Sequence, residues 1–484
     1  MPRLGSVNAL AAGGLLAGAL LLMACGGSTS QPQDASPQQD FAAQFDRNLG
    51  DTPQSDVLPD APVGNHTFET ATKVTVGSAA VAGTISKPGN VDYYKFDAVA
   101  GDWLRVHTEA EFLSPASDCD TVIILYDASR TQIAVDDEAL PKVNNDSEII
   151  MRVPATGTYY VTVQDISTYN TALVPRGGAT YKYELTIARM NLATAGVVVD
   201  TEPNDTVAQA QPIVYFPPSA SSPDYRMAYV IGVFESQADE AAFVLSVPSS
   251  DAGLLVRNAT IDIMPAGSDS TDGNAYGSTT RLGEVSLTDA TGATVIARID
   301  NSLANGPSRL GPPLGPGDYL LRIKHPTTAL GTNDFFVMKV QLRTENPIEA
   351  EGSGVTGVND TLATAEALAP VDVSGGRVGY FILAHLAPAD VDYFSFPVAA
   401  NDKISVSCSA ARAGSGLTGL QVSVRDSSDA VIAAGSATDT AGQELRITNT
   451  TPNPVGTYYL RLEASGQAAG ITSDFARCGT YPAP

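Results

Sequence analysis

Apolar and polar side chains alternate in the same way at three points of the chain. Each copy opens with a glycine, after which every second residue is aromatic or aliphatic, as in Tyr159 and Val161 of the first copy. The residues between them include polar side chains. A period of two is typical of a β-strand with one buried face. The pattern therefore predicts equivalent half-buried strands at residues 157–163, 317–323 and 456–462.

The spacing of these copies sets the domain organisation. They lie about 140 to 160 residues apart, too far for the units of a solenoid. A chain of 484 residues has room for about three domains of ordinary size. We therefore predict three tandem domains of one fold, at residues 62–193, 194–348 and 349–484.

Composition points to the fold class. The chain has 43 glycines and 31 prolines, together with many Thr, Val and Tyr residues, which favour short strands and turns over helices. In the first domain, turn residues separate about eight short runs of strand character. We expect an all-β protein built of jelly-roll-like antiparallel β-sandwiches.

Charge narrows the range of partners. The chain carries 53 acidic and 28 basic residues, a formal net charge of −25. This field repels nucleic acid, so nucleic-acid binding is set aside, and it attracts cations. An acidic surface that only keeps an exported protein soluble is the simpler interpretation.

The first residues predict export and lipid attachment. A short basic start and an apolar run over residues 1–24 form a signal peptide. It ends in Leu22, Met23, Ala24 and Cys25, which resembles a bacterial lipobox, whose cysteine becomes lipidated. An ordinary secretory signal or an uncleaved anchor are the alternatives. Residues 25–61 are poor in aliphatic side chains and predict a flexible tether. We therefore expect a protein of the bacterial cell envelope, anchored to the membrane by lipid and facing the periplasm or the cell exterior.

Three further motifs recur in one order in the three domains. A Glu-Pro-Asn-Asp-Thr-like opening, complete at residues 202–206, precedes an acidic turn and strand such as residues 390–396, and the Gly-Thr-Tyr-Tyr strand follows. This order resembles the bacterial pre-peptidase C-terminal domain, whose relatives include collagen-binding domains of secreted collagenases. The resemblance covers about residues 62–484. It implies a compact extracellular or periplasmic β-sandwich that often accompanies a secreted peptidase and in some relatives binds calcium.

Calcium is accordingly the predicted cofactor. It requires six to eight oxygen ligands, which carboxylates and Asn carbonyls can supply where turns converge. The alternative is that the Asn and Asp side chains cap turns by bonding their own backbone. The third domain has the fullest set of candidates, while Val63 and His66 make the first domain doubtful. The candidate ligands are Asn359, Asp360, Asp390 and Asp392 in the third domain, Glu202, Asn204, Asp205 and Asp239 in the second, and Asn65 and Asp92 in the first.

A second acidic group and the cysteines complete the candidate sites. Cys408 and Cys478 are expected to form a disulfide in an oxidising compartment, or to remain two buried thiols, and Cys119 is expected to be buried and unpaired. The acidic group either binds a cation or is solvated loop charge, the more common case. It consists of Asp118, Asp120, Asp136, Asp137 and Glu138.

No catalytic constellation stands out in the sequence. The four histidines are scattered, and there is neither a His-Glu-x-x-His pair nor a Gly-x-Ser-x-Gly elbow. We predict a non-enzymatic envelope lipoprotein that presents its domains for adhesion or for binding an extracellular protein or polysaccharide. A structural protein with no specific ligand belongs to the same class. An accessory subunit of a secreted peptidase, or a hydrolase with an unrecognised site, is the competing hypothesis.

Overall fold

A computed structural model describes most of the chain from residue 64 to residue 483. The signal peptide, Cys25 and the tether lie outside the described residues, and so does Glu138. No helix in the described part is long and apolar enough to span a membrane. The gaps within this range are residues 112, 138–145, 220–222, 250–256, 264–276, 280–282, 301–308, 327–328, 344–347, 351–352, 354, 373–377 and 437–444.

The all-β prediction is confirmed, because the sheets form three successive two-sheet sandwiches, here called modules 1, 2 and 3. In module 1, sheet 1A has the strand order β1-β3-β8-β5-β6 and sheet 1B the order β2-β9-β4-β7. One short helix, α1 (Ile166–Tyr169), follows β8. The strands are β1 (Thr72–Lys73), β2 (Val81–Thr84), β3 (Val91–Ala98), β4 (Trp103–Glu109), β5 (Thr121–Tyr126), β6 (Gln132–Asp136), β7 (Glu148–Arg152), β8 (Gly157–Asp165) and β9 (Lys182–Arg189).

Module 2 repeats this architecture. Sheet 2A has the order β11-β13-β19-β15-β16, and sheet 2B has the order β10-β12-β20-β14-β17, with β18 also paired to β14. The strands are β10 (Val197–Val199), β11 (Gln211–Pro212), β12 (Arg226–Val233), β13 (Glu240–Val247), β14 (Arg257–Ile263), β15 (Glu284–Asp289), β16 (Val295–Asp300), β17 (Arg309–Leu310), β18 (Pro313–Leu314), β19 (Gly317–Lys324) and β20 (Phe335–Arg343).

Module 3 has the same plan. Sheet 3A has the order β21-β24-β30-β27-β28, sheet 3B the order β22-β23-β32-β25-β29, and β26 pairs with β31. A 3₁₀ turn spans Ala411–Ala413. The strands are β21 (Glu366–Ala367), β22 (Pro370–Asp372), β23 (Val378–His385), β24 (Val391–Val398), β25 (Lys403–Ser409), β26 (Leu417–Thr418), β27 (Gln421–Arg425), β28 (Val431–Ser436), β29 (Leu445–Asn449), β30 (Gly456–Glu463), β31 (Gly466–Gln467) and β32 (Phe475–Ala483).

The thrice-repeated stretch forms the central strand of each A sheet, β8, β19 or β30, between two antiparallel neighbours. Its first tyrosine has a structural reason to recur. The hydroxyl of Tyr159 donates to the carbonyl of Ala155, four residues upstream, at 2.8 Å. Tyr319 and Tyr458 make the same bond, at 3.0 and 3.2 Å. Tyr159 and Tyr458 bury their rings in a sandwich core, and Tyr319 packs partly buried against one. In each case the hydroxyl group fixes the preceding turn.

The two module boundaries use different surfaces. The outer face of sheet 1B packs against the outer face of sheet 2B, and their side chains belong to one continuous hydrophobic cluster. Trp103 contacts Phe335 across this boundary in an edge-to-face arrangement, with ring centroids 5.3 Å apart. Module 3 instead meets the edge of module 2, where backbone atoms of Val295 and Arg298 in β16 bond to Thr472 and Gly414.

Candidate cation sites in modules 2 and 3

One asparagine holds the same backbone position in all three modules. Its carbonyl accepts a hydrogen bond from an amide near the start of the first long strand of the A sheet. The side chain of each of these asparagines is buried. The bonds run from Tyr93 to Asn65 at 2.7 Å, from Ala242 to Asn204 at 3.2 Å and from Tyr393 to Asn359 at 2.9 Å.

Module 2 brings three of its predicted ligands together. Carboxylate oxygens of Glu202, Asp205 and Asp239 all lie within 4.8 Å of one another. Asn204 is 0% exposed, and its Oδ1 has no hydrogen-bond partner among the described residues. A buried carbonyl oxygen without a donor is costly in a folded protein. A hard cation would satisfy it, since calcium accepts Asn carbonyl and carboxylate oxygens alike.

A fourth carboxylate, Asp200, was not anticipated from the sequence. Its Oδ1 accepts a hydrogen bond from Asn204 Nδ2 at 2.6 Å, which fixes the amide and leaves Asn204 Oδ1 as the free acceptor. Burial, with the nearby charges of Glu202 and Asp239, raises the pKa of Asp200 to about 7. Burial likewise raises the pKa of Asp239 and of Glu202. The cluster therefore carries electrostatic repulsion that a bound cation would relieve.

Module 3 repeats the asparagine contact from different sequence spacing, but its described carboxylates form no cluster with cation-ligand spacing. Asn359 is 1% exposed and its Nδ2 donates to Glu349 at 2.7 Å. Glu349 therefore accepts the hydrogen bond that Asp200 accepts in module 2. Asn359 Oδ1 and Asp390 Oδ2 are buried without hydrogen-bond partners among the residues described. Burial raises the pKa of Asp390, and the charge of Asp360 contributes to the increase. Asp392 is fully buried in β24.

Module 1 departs from this arrangement. Asp92 accepts a hydrogen bond from the Tyr183 hydroxyl at 2.6 Å, and Tyr183 also contacts the Tyr94 hydroxyl at 2.7 Å. Because Tyr93 and Tyr393 are anchored alike, His66 lies where modules 2 and 3 have Asp205 and Asp360. Its Nδ1 is 3.4 Å from Asp92 Oδ1. Asp92 is thus held by hydroxyl and imidazole groups. Asn65 and Asp92 therefore remain the weakest of the predicted calcium ligands.

The second acidic group is dispersed over several environments. Asp136 accepts a hydrogen bond from the backbone amide of Glu148 at 2.7 Å, and Asp118 is exposed. Burial, with the neighbouring Asp165 and Asp137, raises the pKa of Asp120 to about 7. These residues form no cluster with cation-ligand spacing in the described part of the chain.

The cysteines differ in environment. Cys408 and Cys478 lie opposite each other on β25 and β32 and are joined by a disulfide, with Cα atoms 4.2 Å apart. Cys119 is a buried free thiol whose pKa is raised well above its usual value by burial.

Two histidine–aspartate pairs lie close to the candidate sites. His325 Nε2 is 3.1 Å from Asp334 Oδ2, and His385 Nδ1 is 3.0 Å from Asp474 Oδ1. The Ser353 hydroxyl donates to the Asp474 carboxylate at 2.8 Å, not to the imidazole. The Ser353 hydroxyl therefore does not bond to the imidazole that would act as its general base. Within the described ranges, the side-chain bonds of these histidines therefore form no nucleophile–base pair.

The modules thus define a class: tandem β-sandwich modules with acidic turns. Residues 90–165 match the model of the bacterial pre-peptidase C-terminal domain. This match confirms the predicted family resemblance over residues 90–165, within module 1.

Comparisons with individual proteins are more limited in reach. A probable subtilase-type serine protease of Deinococcus radiodurans is 32% identical over 100 residues, which covers 20% of this chain and 13% of that protein. The pre-peptidase C-terminal domain of a Bacillus anthracis collagenase is 15% identical and covers 24% of this chain and 93% of that chain, with a TM-score of 0.18. The M60 catalytic domain with two CBM51 domains from Clostridium perfringens ZmpB is 8% identical, over 84% of this chain and 34% of that chain, with a TM-score of 0.17.

Proposed function

We propose that this protein is a non-enzymatic, lipid-anchored component of the bacterial cell envelope that presents three β-sandwich modules as a binding surface. Calcium stabilises modules 2 and 3, while module 1 folds without it. The supporting observation is the buried carbonyl oxygen of Asn204 without a donor, beside the carboxylate cluster of module 2. Asn359 has the same buried oxygen without a donor in module 3. The lipobox at Cys25 supports the anchor.

The position of each proposed site explains what calcium would do. In module 2, the segment from β10 to β11 carries the chain from sheet 2B to sheet 2A and contains Asp200, Glu202 and Asn204. Asp239 immediately precedes β13 in sheet 2A. A cation bound by both parts would fix this segment against the sandwich and offset the repulsion among the carboxylates.

Calcium titration of the full-length chain tests this proposal. After treatment with chelator, calcium should bind with a stoichiometry of two by isothermal titration calorimetry. It should also raise the thermal midpoint, by the equivalent of about 2.7 kcal/mol per site at a hundredfold excess over Kd. Asp239→Asn should abolish the module 2 site and Asp390→Asn the module 3 site.

Asp97→Asn is the matched control, because Asp97 is an exposed carboxylate of module 1 that pairs with Lys73 and belongs to neither proposed calcium site. It should leave the stoichiometry at two. An unchanged melting temperature in saturating calcium would refute the calcium part of the proposal. A third equivalent lost on Asp92→Asn would instead show that module 1 also binds the ion.

An accessory role beside a secreted peptidase is the second candidate. It is favoured by the family match and by the stretch shared with a subtilase-type protease. Cross-linking in intact envelopes, followed by mass spectrometry, should then recover a peptidase joined to modules 1–3. Secreted proteolytic activity that is unaffected by deletion of this protein would count against the accessory role.

A further inference from the structure

Each module has one end that is built around the same backbone hydrogen bond. The acceptor is the carbonyl of the residue two positions before the last strand of the B sheet, which is β9, β20 or β32. We call this part of each module its docking end. The bonds run from Asp118 to Thr180 at 3.2 Å, from Thr279 to Asn333 at 3.0 Å and from Gly416 to Ser473 at 2.9 Å.

The docking ends of modules 2 and 3 both contact the module that comes before them. In module 2, Asn333 Oδ1 accepts a hydrogen bond from the Arg152 side chain of module 1 at 2.9 Å, and its Nδ2 donates to the Arg152 carbonyl at 3.0 Å. In module 3, Ser473 N donates to the Ile296 carbonyl of β16 at 3.2 Å. The docking end is therefore a joining surface at both boundaries.

The docking end of module 1 has the same construction and is exposed. The Ala110 carbonyl accepts from Ser117 N as the Ala410 carbonyl accepts from Ser415 N, both at 3.2 Å. Six residues lie between these two positions in module 1 and four in module 3. Residues 114–116, 118, 179 and 180 are all exposed. Module 1 thus offers to solvent a surface that joins modules elsewhere in the chain.

Strand β16 is the edge of module 2 that receives module 3. Its Ile296 carbonyl accepts from Ser473, and its Arg298 N donates to the Gly414 carbonyl at 3.0 Å. The N–H and C=O of one residue in an antiparallel strand point to the same side, and those of the next residue to the other. Ile296 and Arg298 therefore face module 3, while β15 lies on the other side of the strand.

Strand β28 is the equivalent edge of module 3. It pairs with β27 as β16 pairs with β15, and the register shifts between equivalent residues in both pairs. This register aligns the Val-Ile-Ala sequence of residues 431–433 with the identical sequence of residues 295–297. Ala434 therefore occupies the position of Arg298, and its amide points away from β27 towards the open side of the strand.

The β28 edge is protected by neither charge nor proline. It is the last strand of sheet 3A among the described residues, and it contains no charged residue and no proline. Such an edge is a template for pairing with another chain. Val431 is 52% exposed, whereas the equivalent Val295 of the docked strand is partly buried. A Cβ atom at Gly435 would lie 2.5 Å from Ile447 of β29, so residues 431–434 are the accessible part of the edge.

We propose that copies of this chain associate head to tail, with residues 431–434 of one copy against the docking end of module 1 in the next. Both halves of the contact occur in this chain, and the contact repeats between chains the bonding that joins module 3 to module 2. Thr180 N donates to the Ile432 carbonyl, and Ala434 N donates to a carbonyl of residues 114–116. The contact is heterologous, so each added copy leaves one β28 edge and one docking end exposed, and growth continues beyond a dimer.

Cross-linking between two variants tests this arrangement. Full-length Ala434→Cys with one affinity tag is mixed in detergent with full-length Thr180→Cys that carries another tag, and a short bis-maleimide is added. The product with both tags should form at least about tenfold faster than any product of either variant alone, because only the mixture brings the two added thiols together. The native cysteines are common to both variants, and of these Cys408 and Cys478 form a disulfide and Cys119 is buried.

The single variants also expose a different arrangement. If Ala434→Cys cross-links with itself as fast as the mixture reacts, two β28 edges pair symmetrically and the head-to-tail inference is wrong. The inference is also wrong if the mixture gives no product above that of the single variants.

Sedimentation equilibrium measures the association itself. The mass of the full-length chain should rise with concentration and pass that of a dimer. Ala434→Pro removes the outward amide but no bond to β27 and should weaken association by at least about tenfold. Ala434→Arg is the matched control, because it keeps the amide and introduces the residue that β16 has at this position. Its association should stay within about twofold of that of the original chain.

Val431→Lys keeps the test decisive if the proline variant does not fold, because it changes an exposed side chain. A lysine at an open strand edge should weaken association by about threefold to tenfold. A constant monomer mass at all concentrations, or unchanged association of folded Ala434→Pro and Val431→Lys chains, would exclude this contact. Neither surface contains a proposed calcium ligand of modules 2 and 3, so the calcium proposal and this inference can fail independently.

Discussion

The boundary between modules 1 and 2 and the boundary between modules 2 and 3 join similar sandwiches by different means. At the first, two sheet faces bury large side chains in one cluster, and Glu148 bonds Arg105 from its own module and Lys339 from the next. At the second, a strand edge receives backbone hydrogen bonds, such as Arg298 N to Gly414 O at 3.0 Å and Thr472 N to Val295 O at 2.9 Å.

The three modules share one fold, but the contacts between neighbouring modules are not repeated. Burial of apolar area is the largest favourable contribution to association, so modules 1 and 2 should unfold as one cooperative unit. Edge hydrogen bonds contribute about 1 kcal/mol each after exchange with water. Module 3 should therefore separate from module 2 more easily than module 2 separates from module 1.

The largest expected effect comes from removing the charge at the first boundary. Glu148 and Lys339 are 2% and 1% exposed, and Glu148 Oε1 accepts from Lys339 Nζ at 2.8 Å and from the Tyr229 hydroxyl at 2.6 Å. Burial opposes ionisation of Glu148, but Arg105 and Lys339 together hold its pKa well below the usual range. Glu148→Gln would remove the charged carboxylate that both buried cations contact and should destabilise modules 1 and 2 by about 3–5 kcal/mol.

Urea unfolding followed by tryptophan fluorescence measures this effect, because Trp103 is the single tryptophan and lies at the boundary. Asp97→Asn is the control: it breaks the exposed pair with Lys73 and should cost at most about 1 kcal/mol. A cost for Glu148→Gln as small as that of the control would show that the first boundary is not cooperative.

Much of the fold was predictable from the sequence, because its signal is local. The alternation of Tyr159 and Val161 reports a half-buried strand, and the recurring glycine-aromatic stretch gives the central strand of every A sheet. The boundaries were not predictable. Glu148 and Lys339 are far apart in the chain, and nothing in the pattern around either residue signals that their sheet faces meet.

The candidate sites were predictable in part for the same reason. Asn204 and Asn359 lie in motifs that recur, so their positions could be compared between domains. Asp200 and Glu349 were missed because they hold the equivalent asparagine from different distances along the chain. Their partnership depends on how the segment before each motif lies against its sheet, which a single sequence does not encode locally.

The second boundary should respond to a substitution at Gly414. This glycine has φ +86°, and a Cβ atom there would lie 2.4 Å from Leu310 Cδ2 in module 2. Gly414→Ala combines the cost of a left-handed alanine, about 1 kcal/mol, with a clash at the contact. We expect module 3 to loosen from module 2, seen as a larger radius of gyration in small-angle X-ray scattering and faster proteolysis between them. Trp103 fluorescence should not change.

Gly470→Ala separates strain from clash. Gly470 has φ +81°, but a Cβ atom there would meet nothing within 4 Å. The substitution should cost about 1 kcal/mol of module 3 stability without changing the radius of gyration. If Gly470→Ala and Gly414→Ala behaved alike, backbone strain alone would explain both, and the edge contact would not hold module 3 in place.

The last expected effect is a pH dependence that shows which modules unfold together. The Asp120 carboxyl in module 1 has its pKa raised to about 7 by burial and by Asp165 and Asp137, against about 3.9 in an unfolded chain. Between these values the native state binds more protons, so its stability falls as pH rises from about 4 to about 7.

Asp120→Asn should flatten that decline and raise the thermal midpoint by a few degrees at pH 8, while leaving pH 4 nearly unchanged. Asp118→Asn, at an exposed neighbouring carboxylate, should have little effect. If modules 1 and 2 form one unit, the gain appears in the transition reported by Trp103 and is absent from that of module 3. A gain confined to a separate module 1 transition would mean that the shared cluster does not couple the two modules, and the contrast between the boundaries would then be one of geometry alone.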